Sequence, residues 1–466
     1  MTNWFKIQLS RKALFLYIAT GCVGFTMSVL AGGSDPNLRD FPDPTGAVRT
    51  FSTTGSVDTT NPFFQSLGTN GRACISCHQP GDAWTVTPPH IQERFAATHG
   101  EDPIFRPVDG ANCPSADVST EEARERAYSM LLNKGLIRIS LAVPSTAEFT
   151  VTRVHDPHHC PETTTQQLAM FRRPLPSTNL GFLATVMWDG RENAKGQSIL
   201  QDLAQQSKDA TLGHAQALIA PTDAQAAQIV AFETALFTAQ VRDHEAGKLD
   251  EHGAQGGPAS LSTQPFFLGI NDPLGGNPTG APFDENAFTI FNSWANLPEH
   301  TPHEEGREAV ARGEKLFNTL VIPITGVAGI NDTLNQPVVM GRCTTCHDTP
   351  NAGDHSLSVP LNIGITDFPA LAPLDTHGLP VYTLVCKATG QVFHVTDPGR
   401  AMISGKCADI GKTKGPILRG LAARAPYFHN GSGTTLLDVV NFYDQRFHLG
   451  LAERQKADLV AFLGSL

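Results

Sequence analysis

Gly341-Arg342-Cys343-Thr344-Thr345-Cys346-His347 decides how this chain is read, because Cys-x-x-Cys-His is the attachment pattern of a c-type haem. In such a run the two thiols add to the haem vinyl groups and the imidazole that follows becomes the proximal iron ligand. A second copy, Gly71-Arg72-Ala73-Cys74-Ile75-Ser76-Cys77-His78, stands upstream. One match is easily two unrelated thiols beside a core histidine; two in one chain make that coincidence hard to sustain. The chain is therefore expected to carry two covalently bound haem c groups, one on Cys74, Cys77 and His78 and one on Cys343, Cys346 and His347.

Working outward, 466 residues suit two haem domains with elaborations better than one small core. The expected fold is mainly α, with two cytochrome c-like haem domains, long loops and little strand. The N-terminal domain is assigned to residues 32–302, with an excursion at about 102–176 and a linker at about 247–302, and the C-terminal domain to residues 303–466. A net charge of -11 argues against nucleic acid as a partner and fits small or cationic ones.

Lys6, Arg11 and Lys12 precede an apolar run from Ala13 to Ala31, and Val29-Leu30-Ala31 before Gly32-Gly33 resembles a small-residue cleavage site. Residues 1–31 read as an export signal, with an uncleaved anchor as the alternative and a lipidated Cys22 as a weaker one. The mature chain is then expected in the periplasm, without a membrane span. Of nine cysteines, Cys22 lies in the signal and four bind haem, which leaves Cys113, Cys160, Cys386 and Cys407. An even remainder in an oxidising compartment predicts two disulfides; Cys113 to Cys160 and Cys386 to Cys407 are the most local of three pairings.

Along the chain, residues 32–60 read as an extended leader, and Ile91 to Ala97 as a short helix. Ser119-Thr120-Glu121-Glu122 is a helix start, and Ala147 to Thr152 alternates like a strand with Phe149 and Val151 on one face. The histidines of Val154-His155-Asp156-Pro157-His158-His159-Cys160 lack zinc spacing and read as loop. Helices follow around Ile199 to Ser207 and from Asp223 to Arg242, where Ile229, Phe232, Leu236 and Ala239 share a face. A helix at about Glu305 to Phe317 leads to the second haem motif. Two more close the chain, Leu436 to Phe447, with Leu436, Val440, Tyr443 and Phe447 in register, and Glu453 to Leu466.

Trp188-Asp189-Gly190-Arg191, Asp397-Pro398-Gly399-Arg400, Gly415-Pro416-Ile417-Leu418-Arg419-Gly420 and Ala425-Pro426-Tyr427-Phe428-His429-Asn430-Gly431 stand in an order that resembles the bacterial dihaem cytochrome c peroxidase family, which includes quinone-cofactor-maturing enzymes. The resemblance covers residues 304–466 and about 170–240. It implies that the N-terminal haem meets hydrogen peroxide, that the C-terminal haem stores and delivers an electron, and that Trp188 lies between them as an electron relay. It implies electrons from a small periplasmic electron-transfer protein, or oxidation of a protein or organic substrate through high-valent iron, and a homodimer as a frequent arrangement. The sixth ligand of the second haem falls on Tyr443, where most peroxidases of the family have Met and the quinone-maturing enzyme has Tyr; on its own pattern Tyr443 reads as a core tyrosine.

Two departures bear on chemistry. The family's glutamine over the open haem falls on Gln206, but its glutamate falls on Gln216, which cannot titrate. His214 is the nearest group for acid and base work, with ligation of the first haem and an ordinary surface position as the other readings. The family's calcium-binding asparagine falls on Arg173, whose guanidinium is a poor neighbour for a dication, so calcium is not expected. A dihaem electron-transfer cytochrome without peroxidase activity remains the competing function, and a haem oxygenase acting on a polymer or hydrophobic substrate a third.

Overall fold

The computed structural model describes residues 34–37, 39–193, 195–265, 271, 273–274, 284–298, 303–355 and 359–466. The expected export signal and residues 299–302 of the linker lie outside them, as do most of residues 266–283. No helix among the described residues is long and apolar enough to cross a membrane.

The expectation of a mainly α fold with little strand is overturned. Among the described residues, eleven α-helices share the chain with thirteen strands in five sheets. The largest sheet has four strands, and its central pair joins Gly46–Ser52 to Leu236–Asp243 in antiparallel register, Thr50 opposite Thr238. Both segments had been read otherwise, the first as leader and the second as the tail of a helix. The helix in fact runs Asp223–Thr234 and stops. Leu236 and Ala239 continue its apolar spacing by coincidence, because they are buried by a strand partner far away in sequence. Polar groups hold the strand: Thr238 Oγ1 lies 2.9 Å from the hydroxyls of both Thr50 and Thr178, and the Thr238 amide donates to Asn179 Oδ1 at 2.9 Å.

The excursion is built into the body of the protein. Its strand Phe149–His155 buries Phe149 and Val151 as the alternation predicts, and pairs with Val381–Cys386, which pairs in turn with Val392–Val395. Two disulfides brace this region, Cys113–Cys160 and Cys386–Cys407, with Cα separations of 5.4 and 6.0 Å. They are the two local pairings.

The helices follow their caps. Ser198 with Gln201 opens Ile199–Gly213, Thr222 with Gln225 opens Asp223–Thr234, and Thr435 with Asp438 opens Leu436–Phe447, each as a reciprocal capping box. Glu304–Thr319 crosses the last helix, Glu453–Gly464, at Gly313, where a Cβ would meet the Asp458 carbonyl oxygen at 2.0 Å. That close crossing packs Phe317 against Phe462, with Phe288, Phe291 and Trp294 of residues 284–298 buried in the same core. The helix pair thus forms one wall behind the second Cys-x-x-Cys-His run.

Candidate haem-binding sites

Both Cys-x-x-Cys-His runs fold into the same turn. In the first, the amides of Cys77 and His78 donate to the Cys74 carbonyl at 3.1 and 3.0 Å; in the second, those of Cys346 and His347 donate to the Cys343 carbonyl at 3.2 and 3.0 Å. A hydroxyl closes each turn, Ser76 Oγ accepting from the Ala73 amide at 3.1 Å and Thr345 Oγ1 from the Arg342 amide at 2.8 Å. His78 Nδ1 lies 3.0 Å from the Trp84 carbonyl and His347 Nδ1 2.9 Å from that of Gly353. A carbonyl only accepts, so each imidazole carries its proton on Nδ1 and keeps the Nε2 lone pair free, which is the tautomer of a metal ligand. Burial lowers both imidazoles to about 4, so they are neutral.

While Cys113, Cys160, Cys386 and Cys407 form disulfides, Cys74, Cys77, Cys343 and Cys346 do not. Burial pushes the Cys343 thiol up to about 12 and raises Cys74 and Cys77 as well, so these are apolar, un-ionised thiols. Each motif lines a cavity, the first of about 170 Å³ and the second of about 200 Å³. One water needs roughly 10–15 Å³ on this measure, so either cavity has room for a large ligand.

Trp188 lines both cavities, as do Arg173, Lys414 and Arg424. The Trp188 indole N–H donates to the Arg173 carbonyl at 2.8 Å, and its ring meets His429 edge-on at 6.0 Å. The Arg173 guanidinium donates to the carbonyls of Lys134 at 3.0 Å, Val86 at 2.6 Å and Arg424 at 3.1 Å. Burial lowers Arg173 and Arg424 to about 10 and Arg419 to about 9, and lowers Lys414 beside Asp354, whose carboxyl is raised. The Nε atoms of Arg419 and Arg424 are buried without a hydrogen-bond partner among the described residues. Buried guanidinium groups short of acceptors suit a ligand that brings anionic oxygen, as haem brings its propionates. Paired cysteines outside any disulfide, two Nδ1-tied imidazoles and this cationic wall all fit haem c.

Two buried ion pairs behind this wall were not singled out in the sequence. Arg172 donates to Asp397 at 2.7 and 2.9 Å and to Asp189. Arg400 donates to the Asp189 and Gly190 carbonyls at 3.0 and 2.8 Å. These contacts lock Trp188-Asp189-Gly190-Arg191 against Asp397-Pro398-Gly399-Arg400. Burial alone would raise Asp189, but Arg172 and Arg191 hold it down to about 2.

This chain, with its two turns and two cavities, is similar to known proteins over part of its length. A cytochrome-c peroxidase IdrP2 of Denitromonas iodatirespirans is 37% identical over 141 residues, covering 27% of this chain and 36% of that protein. Over that stretch the chain is similar to the cytochrome-c peroxidases. IdrP1 of the same organism is 34% identical over 139 residues, and IdrP1 of Pseudomonas sp. (strain SCT) 32% identical over 138, each match covering 36% of the peroxidase. The chain thus spans about a third of the length of the curated peroxidases it matches. No family model matches. Among solved structures, a MauG-like protein associated with microbial copper homeostasis covers 87% of this chain and 86% of its own at 17% identity and a TM-score of 0.40.

The first cavity gathers several of the expected site residues. Gln206 and His214, both on or at the end of the helix Ile199–Gly213, line it. His214 Nδ1 is bound to Asp109, which also takes Arg72. Burial would raise Asp109, but His214 and Arg72 together hold it below its usual range. Gln216 is exposed, sits at φ +53°, and is not among the lining residues; its Oε1 accepts from Asn70 at 3.1 Å. Tyr443 lines the second cavity beside Phe442 and Phe447, and burial raises its phenol. Glu233, on no expected site, lines the first cavity. Its apolar-looking helix offered no signal for it.

Proposed function

We propose that this chain is a periplasmic dihaem c-type oxidoreductase of the cytochrome-c peroxidase kind, with hydrogen peroxide as its oxidant and electrons drawn from a small electron-transfer protein or a protein substrate. The observation that carries the reading is the pair of matching turns, each with two cysteines outside any disulfide and an Nδ1-tied imidazole, opening on cavities that share Trp188. Export rests on the pattern of residues 1–31 and on the two disulfides.

Cys74 and Cys77 would hold one haem and Cys343 and Cys346 the other, with His78 and His347 ligating through Nε2; bound there, haem supplies iron that exchanges single electrons. Peroxide in the first cavity meets Gln206 and His214. Because Asp109 engages Nδ1, His214 presents Nε2, which can take the proton from one peroxide oxygen and return it to the other. Trp188 offers a polarisable ring between the cavities, and its indole proton faces a carbonyl, a group too weakly basic to remove it. Tyr443 is proposed as the second ligand of the C-terminal iron. Burial opposes ionisation of its phenol, so the proton must leave against a bound cation.

The second reading, a dihaem electron carrier, draws on His214, which lines the first cavity and would close it as an iron ligand. Optical and electron paramagnetic resonance spectra of the purified ferric protein separate the two. The enzyme reading expects two covalently bound haems per chain, at least one of which responds to peroxide. Two low-spin signals indifferent to peroxide and cyanide would make it a carrier.

A further inference from the structure

Glu233 is 6% exposed, lies on the helix Asp223–Thr234 and lines the first cavity. Its Oε2 has no hydrogen-bond partner among the described residues, and Ser177, also in the cavity wall, reaches its carboxyl. Among the described residues, no cation pairs with it. On the helix packed against it, Asp202, Lys208 and Asp209 are held by Asn193, Asp223 and Gln205. Around the cavity, Arg72 and His214 are tied to Asp109, and Arg172 and Arg191 to Asp189. Arg173, Lys414 and Arg424 stand in the wall shared with the second cavity, and Arg419, the Cys74 and Cys77 thiols and His78 complete the ionisable groups of the lining among the described residues. Burial first, and then the Glu233 charge, raise the Cys74 thiol.

A carboxyl buried in a cavity wall with one oxygen left without a partner is costly, and a glutamine of the same shape would avoid the ionisation penalty. Burial pushes Glu233 up to about 8, so it is protonated at neutral pH in the ligand-free protein. A positive charge in the cavity favours the carboxylate, and removal of that charge favours the acid. We infer that Glu233 is a redox-linked proton site for the iron of the first cavity, ionising when that iron is ferric and taking a proton when it is ferrous. This rests on the reading that the cavity holds a haem. Glu233 takes one proton from solvent, forming an O–H bond, as the iron gains one electron from the one-electron donor protein; oxidation removes both. A proton accompanying each electron lets the buried cavity change redox state without changing its net charge.

The test is a spectroelectrochemical titration of the first haem in the holoprotein from pH 5 to 10. The wild type should lose potential as pH rises, approaching about 59 mV for each tenfold change in proton concentration across the titration of Glu233. Glu233→Gln should abolish that dependence with haem content unchanged, while His214→Asn keeps it. Redox-difference infrared spectra of the wild type, which need no variant, should show a protonated carboxyl band gained on reduction. A pH-independent wild-type potential, the same slope in Glu233→Gln, or no carboxyl band would overturn the inference. Absence of covalent haem would overturn the reading of the site, and the inference with it.

Discussion

Arg172→Met is the most telling single change, because it removes the guanidinium that pairs with both Asp189 of the tryptophan turn and Asp397 of the other. Methionine keeps much of the apolar stem and discards the guanidinium, leaving Asp189 fully buried and Asp397 nearly so. Removing one partner of a buried pair costs about 3–5 kcal/mol. The structure gives a consistent figure: Asp189 is held at about 2 against an ordinary 3.8, which at about 1.4 kcal/mol per tenfold amounts to roughly 2–3 kcal/mol at neutral pH. Asp397, held low by the same guanidinium against its burial, adds in the same direction. The sign with pH follows. A depressed carboxylate stabilises the fold above about pH 4 and loses that contribution as pH falls through about 2. In the variant Arg191 remains beside the Asp189 carboxylate and Arg400 binds only its carbonyl, so burial dominates, both acids resist ionisation, and the deficit is largest at pH 7 and shrinks towards pH 4. Urea unfolding followed by circular dichroism at the two pH values measures this. A deficit below about 1 kcal/mol at pH 7, or one that does not change with pH, would refute the reasoning.

Two further outcomes are expected. Tyr443→Met should raise the potential of the second haem while leaving the first unchanged, since a thioether favours ferrous iron and a phenolate ferric; if redox titration finds both potentials unmoved, Tyr443 is not a ligand. Replacing Cys386 and Cys407 together with serine opens a bridge of sequence separation 21, which should lower the unfolding free energy by about 3 kcal/mol without changing the haem spectra. An unchanged urea midpoint would show that the sheet holds this region without the bridge.

Local chemistry was legible in the sequence wherever one short segment carries it. The haem runs, the helix start at Thr120, and the alternation of Phe149 and Val151 each state their structure within a few residues. The cysteine remainder reached the two disulfides because its pairings were few. What failed was whatever depends on a distant partner. Leu236–Asp243 kept the spacing of the preceding helix, and only its pairing with Gly46–Ser52 makes it a strand; several such pairings together turned an expected α protein into a mixed one.

The site divides in the same way, and the division says where its chemistry is controlled. Cys74, Cys77 and His78 announce what is bound, because attachment needs three residues within five positions. Arg172, Asp397 and Glu233 determine how that site is charged, yet nothing in their immediate sequence marks them, and the role of each exists only once Asp189, the cavity wall or Ser177 is brought beside it. The missing glutamate at Gln216 made the first cavity look short of an acid. Glu233 supplies a buried carboxyl from a different helix, so residues around this cavity must be judged by the wall they reach and not by their distance from Trp188 along the chain.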